Sequence, residues 1–185
     1  MPRPAMAEPT RQDRMGKLFP DGKGLFLAYD QGFEHGPSDF SGDNADPATI
    51  LKIASSGHFD GFICHRGIAE EYASDRTVPL ILKLNGKTSL VEGEPVSKAV
   101  TTIADAVAFG ADAVGYTVYV GSAHESEMLN EFGQILDEAH AAELPVFGWM
   151  YPRGGKVEDP QSPEAIAYAV RVGLELGADA IKAYY

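Results

Sequence analysis

The feature that most constrains the fold is a regular alternation of short apolar runs with longer stretches of helical periodicity. Nearly every position of each run is apolar, as in strands of a parallel sheet that helices cover on both faces. The six runs, taken as strands, occupy residues 24–30, 61–66, 80–85, 113–120, 146–152 and 180–185. Helices are predicted between them over residues 48–56, 68–73, 97–109, 125–142 and 163–176. This order predicts an α/β protein with a parallel sheet.

A near repetition within the chain supports this alternation. The segment GADAVG at residues 110–115 returns as GADAIK at residues 177–182. In both copies a glycine follows the last apolar residue of a helix, where it can end that helix, and a strand begins at once. Ser97, and Ser162 followed by Pro163, stand where helix N-caps are expected. These signals place helix ends where the alternation requires them.

Strict strand–helix alternation is typical of a TIM barrel or a doubly wound sheet. The dinucleotide-binding form of the latter is disfavoured, because no G-x-G-x-x-G follows the first strand. A barrel takes about 250 residues, whereas this chain has 185. We therefore predict a (β/α)8 TIM barrel of which about six units are present, with a short protein completed by a partner as the alternative. Residues 1–18 are expected to be a mobile N-terminal arm and residues 19–185 the partial barrel domain.

The composition narrows the range of partners. The formal net charge is −12, and nucleic acid is bound by an excess of Lys and Arg, so it is not expected as a partner. The single cysteine, Cys64, excludes an internal disulfide and fits a reducing compartment. No apolar run reaches the roughly 18 residues of a membrane span, and the first residues lack the apolar core of a secretory signal. We therefore expect a cytoplasmic protein that does not contact a membrane.

Lys182 is the first candidate for chemistry, because catalytic groups of a β/α barrel lie where its strands end. The repeat has Gly115 at the matching position, so the scaffold does not require a lysine there. Its apolar neighbours are expected to desolvate the ammonium group, which favours the free amine that attacks a carbonyl carbon. The alternatives are a lysine that extends to solvent or one half of a buried ion pair.

The fifth strand carries two further candidates. Trp149 and Tyr151 are two residues apart and therefore share one face of the strand. A phenol beside a lysine amine can relay protons, although core packing is the alternative role for both aromatic residues. Arg153, which two glycines follow, is predicted either to bind an anion or to turn the chain.

The first and third strands end in charged residues. Asp30 closes the first strand, and Glu34, His35 and Asp39 follow in a loop rich in glycine and proline. A carboxylate in this position can orient a substrate hydroxyl or hold a lysine ammonium, unless the loop is simply solvated. Lys83 lies inside the third strand and is predicted to be a buried cation. It can lower the pKa of a neighbouring amine or pair with Asp30, and structural pairing is the preferred interpretation.

Other chemistries find little support in the sequence. The histidines are scattered without the spacing of a metal site, so no metal is expected. No G-x-S-x-G elbow is present. The segment at residues 86–88 ends like a P-loop, but Ile81 stands where that motif needs a glycine.

Several of these segments together resemble the archaeal-type class I fructose-bisphosphate aldolases, the DhnA-like aldolase family. The similarity rests on LAYDQGFEHGPSDF from Leu27, ILKLNGKTSL from Ile81, GYTVYVGS from Gly115, WMYPRGG from Trp149 and GADAIK ending at Lys182. It implies a (β/α)8 barrel without metal or cofactor that assembles as a homo-oligomer of decamer type. It also implies a sugar phosphate substrate. The glycines and the arginine with which the family binds the phosphate follow strands seven and eight, outside this chain.

The same resemblance implies roles for individual residues. Lys182 takes the place of the Schiff-base lysine, Tyr151 that of the general acid and base, and Trp149 shapes the pocket. Asp30 and His35 match the family's polar residues at the first strand, and we predict Asp30 to be catalytic and His35 to bind the substrate. Trp149, Lys83 and Arg153 are the other predicted substrate contacts.

The implied activity is cleavage of fructose 1,6-bisphosphate to dihydroxyacetone phosphate and glyceraldehyde 3-phosphate, together with the reverse condensation. One alternative is a related lysine-dependent aldolase or transaldolase that acts on another keto sugar phosphate, as in the aminoheptulosonate synthase branch. A truncated, non-catalytic barrel and a metal-dependent aldolase are the remaining alternatives.

Overall fold

The computed structural model describes residues 8–185. Its helices are α1 (Arg11–Leu18), α2 (Gln31–His35), α3 (Pro47–Ala54), α4 (Arg66–Tyr72), α5 (Ile103–Ala108), α6 (Glu125–Ala141) and α7 (Pro163–Leu176). Its strands are β1 (Phe26–Ala28), β2 (Gly61–His65), β3 (Leu80–Lys83), β4 (Asn85–Gly86), β5 (Lys98–Ala99), β6 (Ala113–Val120), β7 (Val146–Pro152) and β8 (Ala180–Lys182).

One sheet contains the six predicted strands in the order β1-β2-β3-β6-β7-β8. Every neighbouring pair is parallel, and the spatial order follows the chain order, as it does around a β/α barrel. The short strands β4 and β5 form a separate antiparallel pair. The predicted α/β fold is therefore confirmed as a six-stranded parallel part of a barrel, with β1 and β8 at its two edges.

Alternate residues of the strands face two separate apolar clusters, as the period of a β-strand requires. In β3, Leu80 and Leu82 belong to the cluster between sheet and helices, together with Phe132 of α6. Ile81 instead belongs to the cluster on the inner wall of the barrel, together with Phe147 of β7. The inner wall is therefore packed with side chains up to the level at which the strands end.

An aspartate fixes the start of three strands, and the GAD segments supply two of these aspartates. Each carboxylate accepts a hydrogen bond from a backbone N–H of the strand before it in the sheet. The donor is the first residue of that strand or the residue just before it. The bonds run from Leu25 N to Asp60 (2.8 Å), from Leu80 N to Asp112 (3.0 Å) and from Val146 N to Asp179 (2.8 Å). The internal repeat thus has a structural cause, because it ties each strand to its neighbour at the amino end of the sheet.

Helix α1 closes the amino end of the barrel, which corrects the predicted arm boundary. Leu18 is fully buried in the inner-wall cluster, and the Lys17 ammonium lies 2.7 Å from the Asp112 carboxylate. Residues 11–18 are therefore part of the barrel domain, because an apolar contact and an ion pair hold them there. Of the predicted arm, residues 1–7 lie outside the described residues.

Helix α7 confirms the helix prediction at both ends. The Ser162 hydroxyl accepts a hydrogen bond from Ala165 N (3.3 Å), and Pro163 occupies the first turn. At the other end Gly177 has a left-handed conformation with φ 96°. Residues with side chains rarely adopt this conformation, which explains the glycine of the second GAD segment.

The helix predicted from Ser97 begins later than expected. Thr102 is the observed N-cap of α5, and residues 98–99 form β5 instead. Ser97 is buried, and its carbonyl accepts hydrogen bonds from the Asn85 side chain (3.2 Å) and the Tyr116 hydroxyl (3.3 Å). These bonds to β4 and β6 hold the segment extended, so the local helix signal does not prevail. Within residues 8–185, no helix is both long and apolar enough to cross a membrane.

Candidate active site

A cavity of about 360 Å³ opens at the carboxyl ends of the strands. The residues around it come from β1, β6, β7 and β8 and from the segments that follow them. They are Ala28, Asp30, Gln31, Glu34, His35, Thr117, Tyr119, Trp149, Tyr151, Arg153, Lys182 and Tyr184. The cavity thus brings together all the predicted site residues except Lys83. A larger groove of about 780 Å³ beside α6 and α7 lies outside the barrel and contains none of them.

Strand register stacks the cavity residues in layers. Thr117 of β6 pairs with Trp149 of β7, and Trp149 pairs with Lys182 of β8. Two residues further along, Tyr119 pairs with Tyr151. Since alternate residues face the same side, both layers point to the barrel interior.

Trp149 forms the floor of the cavity beside the lysine. Its side chain is 2% exposed, and its indole fills the space that a Cβ atom at Gly115 would need. The indole Nε1–H is buried without a hydrogen-bond partner in the described part of the chain. A buried donor of this kind is costly unless something satisfies it, and a ligand oxygen in the cavity is one such partner.

Lys182 lies in the cavity. Its side chain is exposed in this chain, whose sheet ends with β8. The family resemblance implies two further strands beyond β8, so the desolvation of the amine stays a prediction for the complete barrel. The ammonium Nζ lies 5.5 Å from the centroid of the Trp149 ring, within the range of a cation–π interaction. The contact with the Trp149 ring therefore positions the amine in the cavity, where a ligand can reach it.

Lys83 is the desolvated lysine of the site. It is 1% exposed, and its Nζ donates to Asn85 O (2.7 Å) and Oδ1 (3.1 Å). Burial lowers its pKa to about 8, although Glu34 and then Asp30 act in the opposite direction. Its ion-pair partner is Glu34, at 3.9 Å, rather than the predicted Asp30. The structure places Lys83 behind the cavity wall, 5.4 Å from the Trp149 ring, rather than at the predicted substrate contact.

Tyr151 lies in a group of aromatic rings around Arg153. Its ring stacks on Tyr184 at 4.9 Å, and the guanidinium carbon lies 5.5 Å from it and 5.6 Å from the Tyr119 ring. The Arg153 side chain donates from Nε to the Tyr184 hydroxyl at 2.8 Å. Burial raises the pKa of Tyr151, Asp30 adds to this, and the positive charge of Arg153 opposes it. The phenol is therefore protonated at neutral pH and can act as a proton donor.

Gly155, the second of the two glycines after Arg153, donates a hydrogen bond to a carboxylate of the chain itself. Glu94 accepts hydrogen bonds from Gly155 N (2.7 Å) and Ala123 N (3.0 Å), and these two amides lower its pKa. A Cβ atom at Gly155 would approach the carboxylate to 2.7 Å. The loops after β6 and β7 are thus joined by Glu94, which holds Arg153 at the cavity rim.

The loop after β1 contributes two carboxylates and a histidine. Asp30 is half-buried and lines the cavity. Glu34 lies in α2, and its Oε2 accepts a hydrogen bond from the Tyr119 hydroxyl (3.2 Å). The His35 side chain is 63% exposed and its Nδ1 lies 3.1 Å from Asp39, which places the imidazole at the outer rim.

His65 ends β2 next to this group without lining the cavity. Its ring lies 4.9 Å from that of Phe33, edge to face. Burial and, after it, the charge of the nearby Lys83 lower its pKa from 6.5 to about 4. The imidazole is therefore neutral at physiological pH.

Four polar cavity residues are absent from the sequence prediction: Gln31, Thr117, Tyr119 and Tyr184. A signal for three of them exists in the strand period, since Thr117 and Tyr119 share the face of Gly115, and Tyr184 shares that of Lys182. The sequence places Glu34 in the polar loop after the first strand, whereas its contacts depend on long-range packing. Across residues 8–185, no three histidine, cysteine or acidic side chains are grouped so that they could hold a metal ion.

The fold and the site define a parallel β/α-barrel protein with an accessible lysine amine among aromatic residues and carboxylates at the carboxyl ends of its strands. The sequence model of the DeoC/LacD family of aldolases matches residues 25–185, and the chain belongs to this family.

Two curated relatives are named class 1 fructose-bisphosphate aldolase. The one from Thermoproteus tenax is 54% identical over 166 residues, which cover 89% of this chain and 63% of the relative. The one from Halobacterium salinarum is 44% identical over 169 residues, covering 89% and 64%. The chain thus spans slightly less than two thirds of the length of these relatives.

Solved structures agree with this relationship. An archaeal fructose-1,6-bisphosphate aldolase with its catalytic lysine covalently bound to the carbinolamine intermediate superposes with a TM-score of 0.90 at 50% identity. The alignment covers 95% of this chain and 70% of that one. A fructose-bisphosphate aldolase from Slackia heliotrinireducens superposes with a TM-score of 0.86 at 35% identity, covering 94% and 60%.

Proposed function

We propose that this chain carries the Schiff-base site of a class I aldolase that cleaves fructose 1,6-bisphosphate and catalyses the reverse condensation. The observation that carries the proposal is the position of Lys182, whose amine opens into the cavity beside Trp149 and one layer below Tyr151. The names of the relatives from Thermoproteus tenax and Halobacterium salinarum support it.

The first half of the reaction forms the covalent intermediate. The neutral amine of Lys182 attacks the C2 carbonyl carbon of the open-chain sugar, and the carbonyl oxygen takes up a proton. The resulting carbinolamine loses water and becomes an iminium. Tyr151 is the proton donor for the departing hydroxyl, because burial keeps its phenol protonated.

The second half breaks the carbon–carbon bond. Asp30 accepts the proton of the C4 hydroxyl, the electrons of the C3–C4 bond move into the iminium, and glyceraldehyde 3-phosphate leaves. The proton on Asp30 passes through water to the Tyr151 phenolate that the first half left, and Tyr151 then protonates the enamine at C3. The water that hydrolyses the resulting iminium gives a proton back to Tyr151, and the carbinolamine releases the Lys182 amine and dihydroxyacetone phosphate.

The other cavity residues bind and orient the substrate in this proposal. Trp149 shapes the pocket, and its unpaired Nε1–H is available to a substrate oxygen. Arg153 and His35 lie at the rim. The Arg153 guanidinium favours a phosphate group there, and the His35 imidazole can form a hydrogen bond to it. Lys83 acts from behind the wall, through its charge, because it is buried and does not line the cavity.

Borohydride reduction in the presence of fructose 1,6-bisphosphate or dihydroxyacetone phosphate tests the proposal. The expected result is a stable adduct on Lys182, located by mass spectrometry of peptides. The Lys182→Ala variant should give no adduct, whereas Lys156→Ala, which removes another exposed lysine, should react as the original chain does. An adduct on a different lysine, or none with either substrate, would contradict the proposed function.

A second substrate class is favoured by one relative. A protein from Methanocaldococcus jannaschii named fructose-bisphosphate aldolase/6-deoxy-5-ketofructose 1-phosphate synthase is 37% identical over 177 residues. The alternative is therefore a lysine-dependent aldolase for another keto sugar phosphate. Trapping rates over a panel of keto sugar phosphates separate the two, and binding of substrate without any trapping would indicate a non-catalytic barrel.

Assembly and location are parts of the same proposal. Homo-oligomerisation is proposed from the family resemblance, and a cytoplasmic location from the buried, unpaired Cys64. Light scattering of the purified chain tests the first, since a monomer at micromolar concentration would contradict it.

A further inference from the structure

Glu34 lies where three elements of the site meet, and it uses both carboxylate oxygens there. Its Oε1 lies 3.9 Å from the Nζ atom of Lys83 in β3. Its Oε2 accepts the hydroxyl hydrogen of Tyr119 in β6 at 3.2 Å. The Glu34 side chain is 21% exposed, so water screens these contacts only in part. One carboxylate of α2 thus joins the loop after β1 to two strands of the barrel.

The buried ammonium of Lys83 requires a counter-charge. Its hydrogen bonds go to Asn85, which is neutral, and a buried cation without an anion is strongly disfavoured. The charged groups that face it are Glu34 from α2, Asp30 at the end of β1 and Lys182 from β8. His65 of β2 is close but neutral. Of these groups, Glu34 is the one that forms an ion pair with Lys83.

The charge of Lys83 matters because of where it lies. The ammonium groups of Lys83 and Lys182 lie 5.4 Å and 5.5 Å from the centroid of the same Trp149 ring. The two cations therefore act on one another across the floor of the cavity. Whatever holds Lys83 in its charged form also sets the electrostatic environment of Lys182.

We propose that Glu34 is a positioning residue that keeps Lys83 in its ammonium form behind Trp149 and holds the Tyr119 hydroxyl at the cavity wall. The effect of Glu34 on the charge of Lys83 is the electrostatic part of the proposal, and it needs no substrate. The catalytic part rests on the proposed function, because it assigns Glu34 an effect on the lysine chemistry without contact with the substrate.

The electrostatic part is tested without any substrate. Isotope-labelled lysine side chains are titrated by NMR, and the Lys83 signal is assigned with Lys83→Met. In the original chain Lys83 should titrate near pH 8. In Glu34→Gln its midpoint should fall by about one pH unit, the effect expected from loss of an opposite charge at this distance. Glu34→Asp should restore part of the difference.

The matched control is Asp43→Asn, which removes an exposed carboxylate from the same part of the chain. It should leave the Lys83 midpoint in place. An unchanged midpoint in a folded Glu34→Gln variant, or equal midpoints in Glu34→Gln and Asp43→Asn, would overturn the electrostatic part. Thermal unfolding of each variant shows whether it is folded. If Glu34→Gln is not folded, the Lys83 midpoint in Glu34→Asp tests the electrostatic part instead.

The catalytic part is tested by the pH profile of borohydride trapping. Glu34→Gln should lower the limiting trapping rate at least about 10-fold, with a smaller change in KM, and should shift the alkaline limb of the profile to lower pH. Tyr119→Phe tests the second oxygen and should lower the rate without moving the limb. Failure of the original chain to form any adduct contradicts the proposed function, and the NMR titration then decides on Glu34 alone. Normal trapping with an identical profile in Glu34→Gln overturns the catalytic part and leaves the proposed function intact.

Discussion

The indole of Trp149 fills the space that a side chain at Gly115 would occupy. The two residues lie on adjacent strands, and Gly115 stands in the first GAD repeat where the second has Lys182. The same position of the repeat therefore makes room for the floor of the cavity in one copy and supplies its amine in the other. The absence of a side chain at Gly115 is thus part of the site.

Substitution of Gly115 by alanine is expected to disturb both stability and site. The new methyl group would overlap the indole of Trp149, which is 2% exposed and has little room to move. Overpacking of this kind destabilises by roughly 1–3 kcal/mol. Urea unfolding should show this loss, and tryptophan fluorescence of the native state should change because Trp149 is the single tryptophan.

The control for this variant is Gly133→Ala. Gly133 lies in α6, and a Cβ atom there would meet nothing within 4 Å. Alanine in a helix should stabilise by about 0.5–1 kcal/mol. Equal stability of the two variants would show that the indole yields to the methyl group.

Removal of the Tyr151 hydroxyl is expected to separate two stages of the proposed reaction. In Tyr151→Phe the ring stacked on Tyr184 remains, whereas the proton donor is lost, so turnover of fructose 1,6-bisphosphate should fall about 100-fold or more. Dihydroxyacetone phosphate should still be trapped on Lys182, but more slowly, because the amine is untouched while water must replace Tyr151 as the proton donor when the carbinolamine loses its hydroxyl. Tyr168→Phe, at a residue that is 70% exposed, should behave as the original chain. Full turnover by Tyr151→Phe would remove Tyr151 from the mechanism.

Truncation of Leu18 tests the role of α1 as part of the barrel. Leu18 is fully buried in the inner-wall cluster, and removal of such a side chain costs roughly 2–5 kcal/mol. Leu174→Ala removes the same group from a position that is 61% exposed and should change the free energy of unfolding by less than about 0.5 kcal/mol. If chemical denaturation gave the same value for both variants, α1 would not contribute to the core.

The sheet and the rim could be predicted because their signals are local. Continuous apolar runs identify β3 and β7, and the GAD segments mark the strand starts that Asp112 and Asp179 fix by hydrogen bonds. Since parallel strands bring their carboxyl ends to one edge, Lys182, Trp149 and Tyr151 could be expected to meet.

The differences arise where distant contacts outweigh the local pattern. The sequence of α1 is mostly polar and predicts a mobile arm. Leu18 is nevertheless buried, because it packs into the cluster on the inner wall of the barrel. The partner of Lys83 depends on α2, a turn whose direction no periodicity specifies.

His65 provides a prediction for the effect of pH on stability. Its pKa is lowered from 6.5 to about 4, first by burial and then by the charge of Lys83. The unfolded chain therefore binds a proton at higher pH than the folded chain does. Between pH 6.5 and about 4, acidification stabilises the unfolded state, so the free energy of unfolding falls as the pH falls.

The size of this effect follows from the pKa difference. A difference of one corresponds to about 1.4 kcal/mol, so the change from 6.5 to about 4 gives a loss of about 3 kcal/mol. Other groups also titrate in this range, and the comparison with His65→Gln isolates the histidine. Urea unfolding at pH 7 and pH 4.5 should show a markedly smaller loss on acidification in His65→Gln than in the original chain. Parallel loss in both proteins would contradict this prediction. It would mean that the folded protein accepts a proton on His65 as readily as the unfolded chain, despite burial and the nearby Lys83 ammonium.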